Sequence, residues 1–151
     1  MKTQVRYPAR VRGQWLLGLL LLAAPWLMGL GGGNGGSDKP IPIPQKNFTV
    51  TVSDARGQKV QAERFTWEGK VHFQGQYGSA TITLPFQKVQ SVKVVPSQAN
   101  IPPTQVLARM ALRSGETLEL TLDRTSKCYG ETAFGNYEIF LKDVGEITFE
   151  K

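Results

Sequence analysis

Histidine occurs once in this chain, at His72, and cysteine once, at Cys128. A general base or a metal ligand set needs partners at fixed spacing, and no carboxylate or second imidazole stands near His72 in such a motif. Its setting between Val71 and Phe73 turns it away from the face those two residues bury. Serine nucleophiles lack that histidine in any recognisable arrangement, and Gly-x-Ser-x-Gly is absent. The carboxylates Asp123, Glu131, Asp143 and Glu146 are scattered through turns and exposed positions, whereas paired acid catalysis needs two facing one cleft. The glycines fall in a tether and in turns, and none precedes a helix as phosphate cradling requires. No catalytic residue, metal site or cofactor is assigned, and the expectation is a noncatalytic protein.

Residues suited to binding are easier to find. The stretch 124–134 reads as the longest irregular segment of the second half, and it puts Tyr129 and Phe134 beside Arg124 and Lys127. Aromatic and cationic side chains on a loop held by a rigid sheet suit a glycan, a lipid headgroup or a protein strand. The matching region of the first half contributes Trp67, His72 and Tyr77. The plainer reading is that Trp67, Tyr77 and Phe134 close the ends of a core. Cys128 reads either as a half-buried inert thiol or, if exposed in an oxidising compartment, as the link of a Cys128-bridged dimer.

The elements that must hold these residues come in two copies. Residues 80–94 align without a gap onto 135–149, an offset of 55, and the apolar positions correspond. Ile82 matches Tyr137, Leu84 Ile139, Phe86 Leu141, Val89 Val144, Val92 Ile147 and Val94 Phe149. Upstream the offset is 58, with Phe48, Val50, Val52, Gly57, Val60 and Ala62 matching Val106, Ala108, Met110, Gly115, Leu118 and Leu120. The second copy has lost three residues between these blocks.

Within each copy, apolar and polar residues alternate at period two, the mark of half-buried strands. Residues 48–52 read as a strand and 54–57 as a turn, and a phase slip between Ala62 and Phe65 marks a bulge. Val71 and Phe73 form a short strand closed by Gly75 and Gly78. A tight Gln87-Lys88 corner then leads into Val89, Val92 and Val94. No segment carries a helical stripe. The fold class is all-β, with internally duplicated five-stranded units forming a compact β-sandwich or a pair of small barrels. A unit of roughly 50 residues buries too little apolar surface to stand alone, so one domain with internal pseudo-symmetry is expected. Its parts are a first repeat over 47–95, a linker over 96–103 and a second repeat over 104–151.

The beginning of the chain is of another kind. Lys2, Arg6, Arg10 and Arg12 precede an uncharged apolar run of about 16 residues, Trp15 to Leu30, short for a full membrane span. Residues 1–30 are thus read as a signal peptide or an uncleaved membrane anchor helix, followed over 31–46 by a Gly/Pro-rich tether. Export to the periplasm, or tethering to the inner membrane by the N-terminus, follows from either reading. Removal of the four basic residues of the leader leaves 14 basic against 12 acidic residues, a net charge of +2, spread along the chain. Nucleic-acid binding calls for a concentrated basic face and is not expected.

The segment Phe134-Gly135-Asn136-Tyr137 through Ile147-Thr148-Phe149 resembles the ending of small β modules of bacterial envelope proteins and is similar, more distantly, to the closing strands of Sm-like barrels. The resemblance implies a twisted strand, corner, strand unit and carries no functional residue; the RNA-binding loops of Sm-like proteins have no counterpart here. The expected role is an exported envelope or periplasmic module that binds another protein through an exposed sheet edge or the aromatic loops. The alternative is a binder of a small molecule or cell-wall polymer with its site between the two repeats.

Overall fold

The computed structural model describes residues 40–95 and 98–151. The leader expected over 1–30 and most of the tether lie outside the described residues. The rest is all-β, with ten antiparallel strands in one curled sheet, a half-barrel wrapped around one core. In chain order they are β1 Val50–Asp54, β2 Lys59–Trp67, β3 His72–Tyr77, β4 Ala80–Pro85, β5 Val89–Val95, β6 Gln105–Leu112, β7 Thr117–Asp123, β8 Lys127–Thr132, β9 Gly135–Phe140 and β10 Val144–Phe149. Short 3₁₀ turns, Phe86–Lys88 and Leu141–Asp143, make the corners before β5 and β10.

Across the sheet the order is β4-β3-β7-β6-β5-β10-β1-β2-β8-β9. Exchanging each strand for its counterpart in the other repeat reverses this order and leaves it unchanged. A pseudo-dyad therefore runs between β5 and β10, at the pair Val92 and Ile147, which are equivalent residues. Register obeys the same symmetry: Val50 faces Phe149 as Ala108 faces Val94, and Val52 faces Val60 as Met110 faces Leu118.

The symmetry corrects the expected sandwich or pair of barrels. The hairpin β3–β4 of the first repeat pairs with β7 of the second, and β8–β9 of the second pairs with β2 of the first. β2 and β3 form no ladder with each other; the isolated bridge Trp67 to Lys70 closes the turn between them. Each repeat thus lends its hairpin to the other. The apolar faces of a separate unit would stay half-covered, and the exchange buries them in one shared interior.

That interior is aromatic on one side of the dyad. Phe73 and Phe86, from the β3–β4 hairpin and its corner, have ring centroids 4.8 Å apart, and Phe86 lies 5.7 Å from Phe65 on β2 and 4.9 Å from Phe149 on β10. β3 and β2 are distant in strand order, so these contacts require the sheet to curl. At the equivalent place the second hairpin offers Cys128 and Leu141, both fully buried.

Two glycines make the exchange sterically feasible. A Cβ on Gly75 would lie 2.5 Å from Leu122 Cδ2 and 2.8 Å from the Thr121 carbonyl oxygen, and one on the equivalent Gly130 would lie 2.9 Å from Ala62 Cβ. Gly75 lies inside β3 and does not close it, contrary to the sequence reading. The phase slip in β2 is a bulge, as expected: the register shifts between Glu63 and Thr66, with Arg64 at φ 50°. The shortening of the second copy falls here and in the turn that follows, since β2 has nine residues and β7 seven.

Candidate functional site

The residues singled out from the sequence separate into three groups. Trp67 belongs to the core: it is buried at the end of β2, its indole N–H donates to Ser126 Oγ over 2.9 Å, and its ring packs 6.0 Å from Phe73. Tyr77 and Phe134 do not close the core. They stand at the tips of the two exchanged hairpins, 56% and 93% exposed. These hairpins form the two opposite edges of the strand order.

Arg124, Lys127 and Tyr129 form the third group, and the irregular segment expected to hold them is largely strand β8. Alternation was masked because the inward positions are Cys128 and Gly130, and glycine carries no apolar signature. Arg124, in the turn before β8, donates from Nη1 to the Pro103 carbonyl over 2.8 Å. Lys127 Nζ donates to Glu138 Oε1 over 2.7 Å and sits 5.0 Å from the Phe140 ring centroid, and the Glu138 bond raises its pKa. The Lys127 backbone N–H donates to Glu68 Oε1. Tyr129 is half-buried beside Thr66 and Glu138, with its hydroxyl pKa raised chiefly by desolvation.

Cys128 is fully buried, and burial pushes its thiol up to about 12. A thiol so placed is protonated, and the exposure on which a Cys128-bridged dimer depends is absent from the folded chain. His72 is half-buried on β3. Among the described residues no three His, Cys, Asp or Glu side chains gather as metal ligands do.

The feature that sequence reasoning missed is the edge strand β4. The turn Gly78-Ser79, with Gly78 at φ 62°, joins β3 to β4 in two residues, so Tyr77 and Ala80 form the hydrogen-bonded pair nearest the turn. Alternate pairs follow, Gly75 with Ile82 and Phe73 with Leu84. Thr81, Thr83 and Pro85 fall on the other pairs, so their backbone groups point away from β3. Pro85, which has no N–H, occupies a place where none is needed. No described strand lies on the outer side of β4. From Phe73 to Phe86 the chain has no charged residue. Natural edges are usually blunted by charge, bulge or proline, and β4 has a proline only at its last position.

A second concavity lies at the junction of the repeats. A groove of about 480 Å³ opens between β1, β5, β6 and β10, with Lys93, Arg124, Lys142 and Glu146 among its lining residues. Of the binding candidates taken from the sequence, only Arg124 lines it, and none of the aromatic residues expected between the repeats is there. Trp67, Tyr77, Tyr129 and Phe134 lie elsewhere.

An all-β chain built on two exchanged repeats, with one of its two edges uncharged and a basic groove at the repeat junction, is the class that fold and site define. The chain belongs to a family described as uncharacterised protein, matched over residues 44–151. An uncharacterised protein of Aquifex aeolicus (strain VF5) is 21% identical over 110 residues, which cover 73% of this chain and 80% of that protein. No solved structure matches the chain. The family match begins at residue 44, and neither match carries the envelope-module or the Sm-like resemblance.

Proposed function

We propose that this protein is a noncatalytic, exported module of the bacterial periplasm or cell envelope that binds another protein by accepting an extended segment of it alongside β4. The observation that carries the reading is the uncharged hairpin at an open edge. Backbone groups of Thr81 and Thr83 there supply a ladder for a further strand, and Tyr77 at the tip supplies an aromatic contact. Export rests on the basic start, the apolar run and the glycine tether of the first 37 residues.

Thr83→Pro tests the reading. It removes an outward N–H while leaving the bonds to β3 in place. The full chain used as bait in crosslinked envelope extract is expected to capture a partner that Thr83→Pro loses, at unchanged circular dichroism. Equal capture by both forms overturns the β4 site. Loss in Tyr129→Ala/Phe134→Ala alone moves the contact to the other hairpin.

A further inference from the structure

We propose that the groove at the repeat junction is a binding site for a small amphiphilic anion, a carboxylate or phosphate head carried on an apolar body. None of its lining residues comes from β3 or β4, so the site stands independently of the partner-binding edge. Three cations, Lys93, Arg124 and Lys142, surround it against one carboxylate, Glu146. Glu146 is the register partner of Lys93 across the dyad, yet among the described residues the Lys93 ammonium has no ion pair. The Lys142 ammonium touches only the Phe140 ring, 5.5 Å to its centroid. Arg124 is fixed by its bond to the Pro103 carbonyl, which occupies one nitrogen of its guanidinium.

Between the cations the accessible apolar surface comes from Ala55, Val94 and Val95, with Val106 and Val144 behind it in the core and Ser53 and Gln105 as polar neighbours. Uncompensated cations around an apolar floor match a ligand with a charged head and a hydrocarbon body, because each part is desolvated against its own kind. Pseudo-symmetry sharpens the assignment. The residues equivalent to Lys93 and Lys142 are Thr148 and Gln87, so the fold has no need of a lysine at either position.

The test is calorimetric titration of the purified full chain with decyl phosphate and with decanoate, each below its micelle-forming concentration. Inorganic phosphate and decyltrimethylammonium serve as head-only and opposite-charge probes. Saturable binding of one or both anionic amphiphiles is expected, about tenfold or more weaker in Lys93→Gln/Lys142→Gln and unchanged in the charge-matched Lys59→Gln/Lys88→Gln. The two amphiphiles distinguish a phosphate from a carboxylate head. All four lysines are exposed, so thermal melts should coincide. Absence of saturable binding, equal affinity in both double variants, or inorganic phosphate binding as tightly as decyl phosphate overturns the proposal.

Discussion

The two exchanged hairpins, β3–β4 and β8–β9, occupy equivalent places and have opposite surfaces. Inward they agree at the crossing, where Gly75 matches Gly130 and Leu84 matches Ile139, although Phe73 stands where the second hairpin has Cys128. Outward they diverge. The second hairpin holds Lys127 against Glu138 at 2.7 Å and Glu131 against Arg64 at 3.0 Å, while the first has Gln74, Gln76, Thr81 and Thr83. Positions that make the exchange possible are the same in both copies, and positions that face solvent have been free to differ. The uncharged edge is therefore a property of the first hairpin's surface, one the fold does not require.

The comparison breaks most visibly in the core. Phe73→Ala should lower unfolding free energy by about 3–5 kcal/mol, since the ring anchors the aromatic cluster. Cys128→Ala at the equivalent position should lower it by only about 1 kcal/mol. Urea titration reads both, and equal losses would mean that stability is not concentrated on the first hairpin's side.

The glycines come next. Gly75→Ala and Gly130→Ala should each lose about 2 kcal/mol, the former more because a backbone carbonyl 2.8 Å away cannot rotate aside. A neutral result at either position contradicts the close crossing.

The smallest effect is alkaline. Desolvation pushes Tyr137 up to about 12, and burial does the same for Cys128, whereas the first hairpin has Ile82 and Phe73 in their places. Both folded pKa values lie above the unfolded ones. Their contribution is complete below the ordinary thiol value of 9.0 and is lost as pH rises toward about 12. Melting temperature should fall across that window in the wild type and less steeply in Cys128→Ala/Tyr137→Phe. Parallel curves would place the alkaline lability outside the second hairpin.

Much of the fold was legible in the sequence. The repeat, the bulge after Ala62 and the corner at Gln87-Lys88 follow from period-two patterning, which registers which face of a strand is buried. It is silent about which neighbour covers that face, so pairing within a repeat and pairing across repeats look the same. The exchange was hidden for that reason. Gly75 and Gly130 were read as strand end and loop because the only trace of a close crossing is a missing side chain. At the site, Trp67 was singled out for binding with a core role as the plainer reading, and its burial and its bond to Ser126 put it in the core. Tyr77 projects into solvent as the last paired residue before its turn and Phe134 as a turn residue beyond the last pair, which patterning does not record. The β4 edge went unnoticed because its signal is an absence of charge, meaningful only once the strand is known to be outermost.

The exchange also governs when the protein can fold. β10 lies at the middle of the sheet, pairing with β1 and β5, and Val50 meets Phe149 roughly 100 residues along the chain. No repeat is complete until this tenth strand is present, and non-local pairing of this kind forms slowly, as stopped-flow refolding of the full chain can time directly. The central seam of the sheet, β10 against β1 and against β5, can therefore close only after the tenth strand has emerged.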